Sequence, residues 1–228
     1  MTEGSVSPDY LEAKKILSRL LSNTGARIEM LYDNRRDLQT TWNKSKEASE
    51  TLKDMKNREA LNNLPPKARS ISKLFAYLGL VESLGVTLID MALVLLIANG
   101  EEMHIRQGGG IRHVSTLKEL RKLDLVYKLE FLKANMLQFV GGVINRELRN
   151  NIAHLKFQIE ENGDIVDSNR QSVNIDDELQ KFWERVGHLI SLFEEMRFLK
   201  WVESVGHVRA PDASILTPMS KSENEGLR

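Results

Sequence analysis

The sequence contains no cysteine, and its 228 residues include only five prolines. The absence of cysteine excludes disulfides, thiolate zinc sites and cysteine nucleophiles, and it fits a reducing compartment. Lysine and arginine together number 32, as do aspartate and glutamate, so the chain carries no net charge at pH 7. A protein held to nucleic acid by its overall electrostatic field usually has a basic excess. Any such contact must therefore be local.

The first ten residues, MTEGSVSPDY, lack the basic-then-apolar pattern of a signal peptide, so we expect a cytoplasmic protein. One run, residues 74–98, is apolar and long enough to raise the question of a membrane span. Glu82 and Asp90 lie within it, and each would cost roughly 2.5–3.5 kcal/mol near the centre of a bilayer. We interpret the run as a buried core helix and expect no membrane contact. A membrane-associated helical protein is the weaker alternative.

Apolar residues recur at helical spacing along most of the chain, which predicts an all-α fold. We place N-caps at Ser115 or Thr116 and at Asp176 or Asp177, because their side chains can accept hydrogen bonds from the first turn. The predicted helices cover residues 8–21, 70–99, 115–138, 139–155 and about 176–204.

Two connecting segments break the helical spacing. Residues 101–113, EEMHIRQGGGIRH, contain three consecutive glycines and predict a flexible connector. No Gly-Lys-Ser/Thr follows these glycines, so they do not form a Walker-type phosphate loop. Residues 156–167, KFQIEENGDIVD, alternate apolar and polar side chains around Asn162 and Gly163, which predicts a short β-hairpin.

A long polar segment, residues 26–62, carries a thin apolar stripe on a broken heptad spacing. Such a stripe can pair with a partner chain or dock on its own domain, and its narrowness favours docking. The resulting organisation is a helical N-terminal extension over residues 1–65, a helical domain over residues 66–205 and a disordered tail over residues 206–228.

The stretch RELRNNIAHL, Arg146 to Leu155, places its polar residues on one side of the predicted helix. Arg146, Asn150 and His154 follow one another at i, i+4 and i+8 and form a stripe. Arginine can hold a phosphate with two donors and histidine can move protons near neutral pH, so the stripe favours phosphodiester chemistry. A buried polar network or a helix cap would give a similar mixture. The apolar residues on the opposite arc, which we expect to be buried, are Ile144, Leu148, Ile152 and Leu155.

The HEPN superfamily has an R-x4-H signature, which the chain resembles at RNNIAH, Arg149 to His154, with a polar residue directly after the arginine. The resemblance extends over about residues 66–204, which contain four predicted helices. As in HEPN proteins, the motif lies late in the third of these helices and is followed by a short hairpin and a final helix. It implies a HEPN-like four-helix bundle with a short β-hairpin before the last helix and with additional N-terminal helices.

Similarity to HEPN proteins implies a homodimer in which two motif helices meet across a two-fold axis and line one composite cleft. Arg149 and His154 lie about 140° apart around a helix and roughly 7.5 Å apart along it, so a pairing between two chains agrees with their spacing. By resemblance, Arg149 would bind the phosphate of an RNA substrate, His154 would act on the 2′-hydroxyl or the leaving 5′-oxygen, and Asn150 would position one of them. The implied activity is a metal-independent endoribonuclease without cofactor, forming a 2′,3′-cyclic phosphate, in a toxin or defence role.

Basic residues outside the signature extend this candidate site. Arg146 is a second phosphate contact by its place on the stripe, with surface salt bridging as the alternative. Residues 112–122 are locally basic and would guide the RNA backbone, or would only be solvated. The candidate RNA contacts in that segment are Arg112, Lys118, Arg121 and Lys122.

Other polar residues receive no catalytic role. Glu82 and Asp90 would either orient the motif arginine or find structural partners, and we favour the second. No metal is expected, because no ligand spacing connects the histidines at His104, His113, His188 and His207.

The alternative function is a non-catalytic HEPN-fold dimerisation or adaptor protein that binds RNA or a protein partner through residues 26–62. A protein antitoxin is a further expected partner of the nuclease. Some toxin members of the superfamily carry a tyrosine two residues beyond the motif histidine, which a partner nucleotidyltransferase modifies. Lys156 stands at that place here, so we expect no regulation by that route.

Overall fold

The computed structural model describes residues 8–22, 36, 39–40, 42–43, 46–47, 50, 63–107, 110–114 and 116–196. In this part the chain is mostly helical, with two small antiparallel sheets. The helices are α1 (Pro8–Ser22), α2 (Pro66–Leu80), α3 (Val86–Ala98), α4 (Leu117–Arg121), α5 (Leu125–Ala134), α6 (Gln138–Gly141), α7 (Arg146–Ala153) and α8 (Ile175–Glu195). The sheets pair β1 (Met103–Gln107) with β2 (Gly110–Val114), and β3 (Phe157–Ile159) with β4 (Ile165–Asp167).

The central helix consists of α2 and α3, joined without interruption through the π-helical turn Val81–Gly85. Nearly every side chain of α3 is buried, as its apolar run predicted. Among the described residues, the helical run Pro66–Ala98 is long and apolar enough to cross a membrane, and 78% of its most apolar window is buried inside the protein. The run therefore forms part of the core.

The N-terminal residues pack onto the same core. Leu17 and Leu20 of α1 belong to one cluster with the buried side chains of α2, α3 and α8. The side-chain amide of Asn99, at the end of α3, donates a hydrogen bond to the carbonyl of Leu20 at 2.9 Å. Trp42 is buried and packs edge-on against Phe193 of α8 with a centroid distance of 6.5 Å. Trp42 of the polar segment thus docks on its own chain.

Two predicted helices are each divided, so the prediction of continuous helices was wrong there. The helix over residues 115–138 forms α4 and α5, and the helix over residues 139–155 forms α6 and α7. The second break follows Gly141 and Gly142, which have low helix propensity. It ends at Asn145, whose side chain caps α7 by accepting a hydrogen bond from the backbone N–H of Leu148 at 3.1 Å. A polar side chain that bonds to nearby backbone competes with a continuous helix.

The predicted caps were correct for one helix and wrong for another. Thr116 forms a reciprocal capping box with Glu119 at the start of α4. At the start of α8, the capping side chain is Asn174 and not Asp176 or Asp177. The predicted end of this helix beyond residue 196, the heptad stripe apart from Trp42, and the disordered tail lie outside the described residues.

A β-hairpin replaces the flexible connector predicted over residues 101–113. Met103 and Ile105 of β1 and Val114 of β2 are buried against the core, while His104 and His113 are exposed. This two-residue alternation is the signature of a half-buried strand, and the adjacent glycines obscured it in the sequence. The prediction of a flexible connector was therefore wrong for the residues that form β1 and β2.

The predicted hairpin before the last helix is confirmed. Its turn contains Asn162 and Gly163, and Gly163 adopts a positive φ of 91°, which favours glycine. The Gly163 carbonyl accepts a hydrogen bond of 2.6 Å from the hydroxyl of Ser70, so the turn is fixed to the first part of α2.

Candidate functional site

The helix α7 carries the candidate residues, and α8 fixes its start. The side-chain amide of Asn145 donates a hydrogen bond to Oε2 of Glu178 at 2.9 Å. Just before it, the carbonyl of Gly142 accepts a hydrogen bond of 2.7 Å from Nη1 of Arg185. Two contacts from one long helix therefore set the direction in which α7 leaves the core.

The predicted buried and exposed faces of α7 are correct within the helix and wrong just beyond its end. Ile144, Leu148 and Ile152 are buried, and Arg146 is exposed. Leu155 is 67% exposed, so its predicted burial was wrong. The helix ends at Ala153, and an angle extrapolated at 100° per residue has no meaning after the last helical residue.

The chain leaves α7 through a Schellman motif. The backbone N–H of Lys156 donates to the carbonyl of Asn151 at 2.7 Å, and that of Leu155 donates to the carbonyl of Ile152 at 3.1 Å. Leu155 occupies the left-handed position with a φ of 52°, where glycine is the usual residue. This conformation costs a branched side chain roughly 1–2 kcal/mol. A strained, exposed leucine thus directly follows His154.

The guanidinium of Arg149 is held by two side chains. Its Nε donates to Oε1 of Glu82 at 2.6 Å, its Nη2 lies 2.5 Å from the same oxygen, and its Nη1 donates to Oδ1 of Asn150 at 3.1 Å. We favoured a structural partner for Glu82, and the structure instead pairs it with the motif arginine. A guanidinium has five N–H donors, so donors remain for a bound anion.

Arg149 and Asn150 line a cleft of about 370 Å³, together with Arg146. The cleft lies between the central helix, the connection from α4 to α5, and α7. Its charged lining consists of four cations and two carboxylates, namely Arg121, Lys128, Arg146, Arg149, Glu82 and Asp124. Arginine side chains line this concave surface, and a guanidinium can bind a phosphate with two donors.

Lys128 is a cleft residue that the sequence analysis missed. Its Nζ lies 2.7 Å from Oδ1 of Asp90, and the two side chains are only 3% and 11% exposed. Burial raises the pKa of Asp90, while the Lys128 ammonium acts in the opposite direction with a smaller effect. Asp90 thus has the structural partner that we favoured for it. A lysine among the apolar residues of α5 and an aspartate within an apolar run were the available signals.

The remaining predicted RNA contacts are scattered. Lys118, Arg121 and Lys122 are exposed on α4 and at its end, but only Arg121 lines the cleft. Arg112 lies in β2 opposite Ile105, and the placement of its side chain lies outside what the structure describes.

His154 is exposed at the end of α7 and is not among the residues that line the cleft. Its backbone closes the helix, since its N–H donates to the carbonyl of Asn150 at 3.0 Å. Within one chain, the structure therefore brings together Arg146, Arg149 and Asn150, and leaves His154 outside their cleft. No known protein family, curated protein or solved structure matches the chain.

Proposed function

We propose that the protein is a homodimeric endoribonuclease with a HEPN-like helical bundle, acting as a toxin or defence effector. It cleaves RNA without a metal ion through Arg149, Asn150 and His154. The observation that carries the proposal is the orientation of the Arg149 guanidinium by Glu82 and Asn150 at the wall of a cation-rich cleft. Preorganised donors of this kind stabilise the charge that develops on a phosphodiester during cleavage.

Because His154 lies outside the cleft that Arg149 lines, the proposed site needs a second copy of the chain. A second copy, related by a two-fold axis, would bring its imidazole to the Arg149 side of the first copy. The neighbouring surface favours such a contact, because α2 packs against α7, and exposed apolar side chains lie on α2 and just after the end of α7. These side chains are Ile71 and Phe75 of α2, which are 38% and 51% exposed, and Leu155.

In the proposed reaction, one His154 imidazole accepts the proton of the 2′-hydroxyl as the 2′-oxygen attacks the phosphorus. The bond to the 5′-oxygen breaks, water supplies the proton that this oxygen needs, and the imidazolium returns its proton to the solvent. Arg149 holds the phosphate, and Asn150 keeps the guanidinium in place. The products are a 2′,3′-cyclic phosphate and a 5′-hydroxyl.

The first test is cleavage of mixed RNA by the full chain in EDTA, with the product ends mapped. We expect Arg149→Ala to lower the rate by roughly 10²–10³-fold and His154→Ala by roughly 10²–10⁴-fold. Arg19→Ala on α1 and His188→Ala on α8 are matched controls, because both residues are exposed and lie outside the cleft. Cleavage that survives both motif substitutions would exclude the proposed site.

Mixing the two inactive variants tests the composite site separately. In a mixed dimer, one of the two Arg149–His154 combinations is intact and the other has lost both residues. With half of the dimers mixed, about one quarter of the wild-type activity should return, since each mixed dimer has one working site of two. If the wild type cleaves RNA but the mixed variants recover no activity, the protein is a nuclease and its site is not shared between two copies.

The second candidate is a non-catalytic module of the same fold that binds RNA or a protein. The ion pair between Glu82 and Arg149 favours it, because a guanidinium already paired with a carboxylate stabilises the charge of a cleavage transition state less strongly. Binding of RNA in the absence of any cleavage, across varied substrates, would select this candidate.

A further inference from the structure

His104 and His113 lie directly opposite each other across the β1–β2 sheet, and Glu102 precedes β1. The ring centroids of the two histidines are 5.2 Å apart, and Nε2 of His104 lies 3.0 Å from Oε2 of Glu102. One ligand atom from each of the three residues lies within 4.8 Å of the others.

The backbone of the hairpin fixes this arrangement. Side chains alternate between the two faces of a strand, so the burial of Met103, Ile105 and Val114 directs His104 and His113 outward. The antiparallel register then sets the two histidines side by side, because opposite residues have Cβ atoms about 4.5–5.5 Å apart.

We propose that Glu102, His104 and His113 form a binding site for a divalent transition-metal ion, with zinc as the representative ion. Two imidazoles and one carboxylate are a common donor set for zinc, which takes nitrogen and oxygen ligands about 2.0–2.2 Å away. Calcium and magnesium are disfavoured, since both prefer sites made of oxygen donors. Three protein ligands leave a fourth position for water.

Rotation of side chains is enough to bring the three ligand atoms to the distances of a zinc site. Tetrahedral ligands about 2.05 Å from a zinc ion are about 3.3 Å from one another. The separation of 3.0 Å between Nε2 of His104 and Oε2 of Glu102 is close to this value. All three side chains are exposed, so the His113 ring can turn toward the other two without moving the core.

A bound ion would link β1 to β2 on the solvent-exposed face of the hairpin. Without an ion the cluster contributes little to stability, because water weakens the attraction between exposed side chains. The site is independent of the proposed cleavage, because none of its residues lines the cleft of Arg149.

Zinc titration of the full chain, freed of any affinity tag, tests the site by calorimetry. We expect one zinc ion per chain. Either His104→Gln or His113→Gln should weaken binding at least about 100-fold, and Glu102→Gln about tenfold, because fewer ligands remain. His188→Gln is the matched control, since this exposed histidine of α8 should leave the affinity unchanged.

Thermal unfolding with zinc or magnesium gives a second reading. Zinc should raise the melting temperature of the wild type and not that of the His104→Gln/His113→Gln double variant, and magnesium should raise neither. Zinc binding that is unchanged in both histidine variants, or no zinc binding by the wild type, would overturn the proposal. EDTA in the cleavage assay removes zinc. The result of that assay therefore tests the nuclease proposal independently of the zinc site.

Discussion

Nε of Arg149, in the motif helix, donates a hydrogen bond of 2.6 Å to Oε1 of Glu82, in the π-helical turn of the central helix. The two side chains are 27% and 45% exposed, so the ion pair contributes at most about 1 kcal/mol to stability. Its larger effect is geometric. The carboxylate holds one edge of the guanidinium while Asn150 holds another, and the guanidinium can meet a phosphate without first being ordered.

Glu82→Gln should lower the RNA cleavage rate by roughly tenfold, because the amide binds the guanidinium more weakly and its orientation is lost. The free energy of unfolding should change by less than about 1 kcal/mol. Asp176→Asn is the matched control, since Asp176 forms an exposed ion pair of 2.7 Å with Lys73, which lies on the same central helix as Glu82. An equal loss of activity in both variants would assign the effect to surface charge and not to Arg149.

Leu155→Gly should relieve the strained backbone at φ 52° and also remove an apolar side chain from the proposed dimer surface. Met136→Gly is a close control, because Met136 is also exposed and has a φ of 58° after the end of α5. Both substitutions should change the free energy of unfolding by no more than about 1 kcal/mol, as relieved strain offsets the added freedom of the unfolded chain.

Only Leu155→Gly should weaken dimerisation and cleavage. Sedimentation equilibrium of the two variants, run beside the RNA assay, makes the comparison. If the Leu155 and Met136 variants dimerise equally well, the surface around α7 is not the dimer contact.

Lys128→Met should lower the free energy of unfolding by about 3–5 kcal/mol at neutral pH, because it leaves the Asp90 carboxylate buried without its cation. The double variant Asp90→Leu/Lys128→Met should recover most of this loss, since no charge then remains buried. Urea unfolding of the two variants measures the difference. A double variant as unstable as the single one would show that the pair does more than neutralise charge.

The loss caused by Lys128→Met should also shrink in acid. Burial raises the pKa of Asp90 above its ordinary value of 3.8, and removal of the ammonium raises it further. A carboxyl with a raised folded-state pKa contributes stability that is fully present below pH 3.8 and is lost as the pH rises through the folded value. Unfolding curves at several acidic pH values test this sign.

Tyr77 should make the protein sensitive to alkaline pH. Burial raises its pKa from 10.0 to about 12, against the smaller opposite effect of a backbone hydrogen bond with Asn145. Its contribution is fully present below pH 10 and is lost as the pH rises through about 12. The two pKa units correspond to at most about 3 kcal/mol. Tyr77→Phe should reduce this alkaline loss of stability, measured by urea unfolding and by phenolate absorbance, and an unchanged loss would contradict the assignment.

The sequence by itself determined features that depend on neighbouring residues. The start of α1 at Pro8, the burial of Leu148 and Ile152 on one side of α7, and the turn at Asn162 and Gly163 were all predicted correctly. Helical spacing, caps and turns depend on backbone geometry over a few residues, and the order of residues specifies that geometry directly.

Only the tertiary structure decided which distant residues meet. Glu82 and Arg149 are 67 positions apart, and their contact depends on how α7 packs against the central helix. His104 and His113 have no ligand spacing in the chain, and strand register alone places them side by side. Contacts of this kind depend on packing and register across the whole core, which local periodicity does not specify.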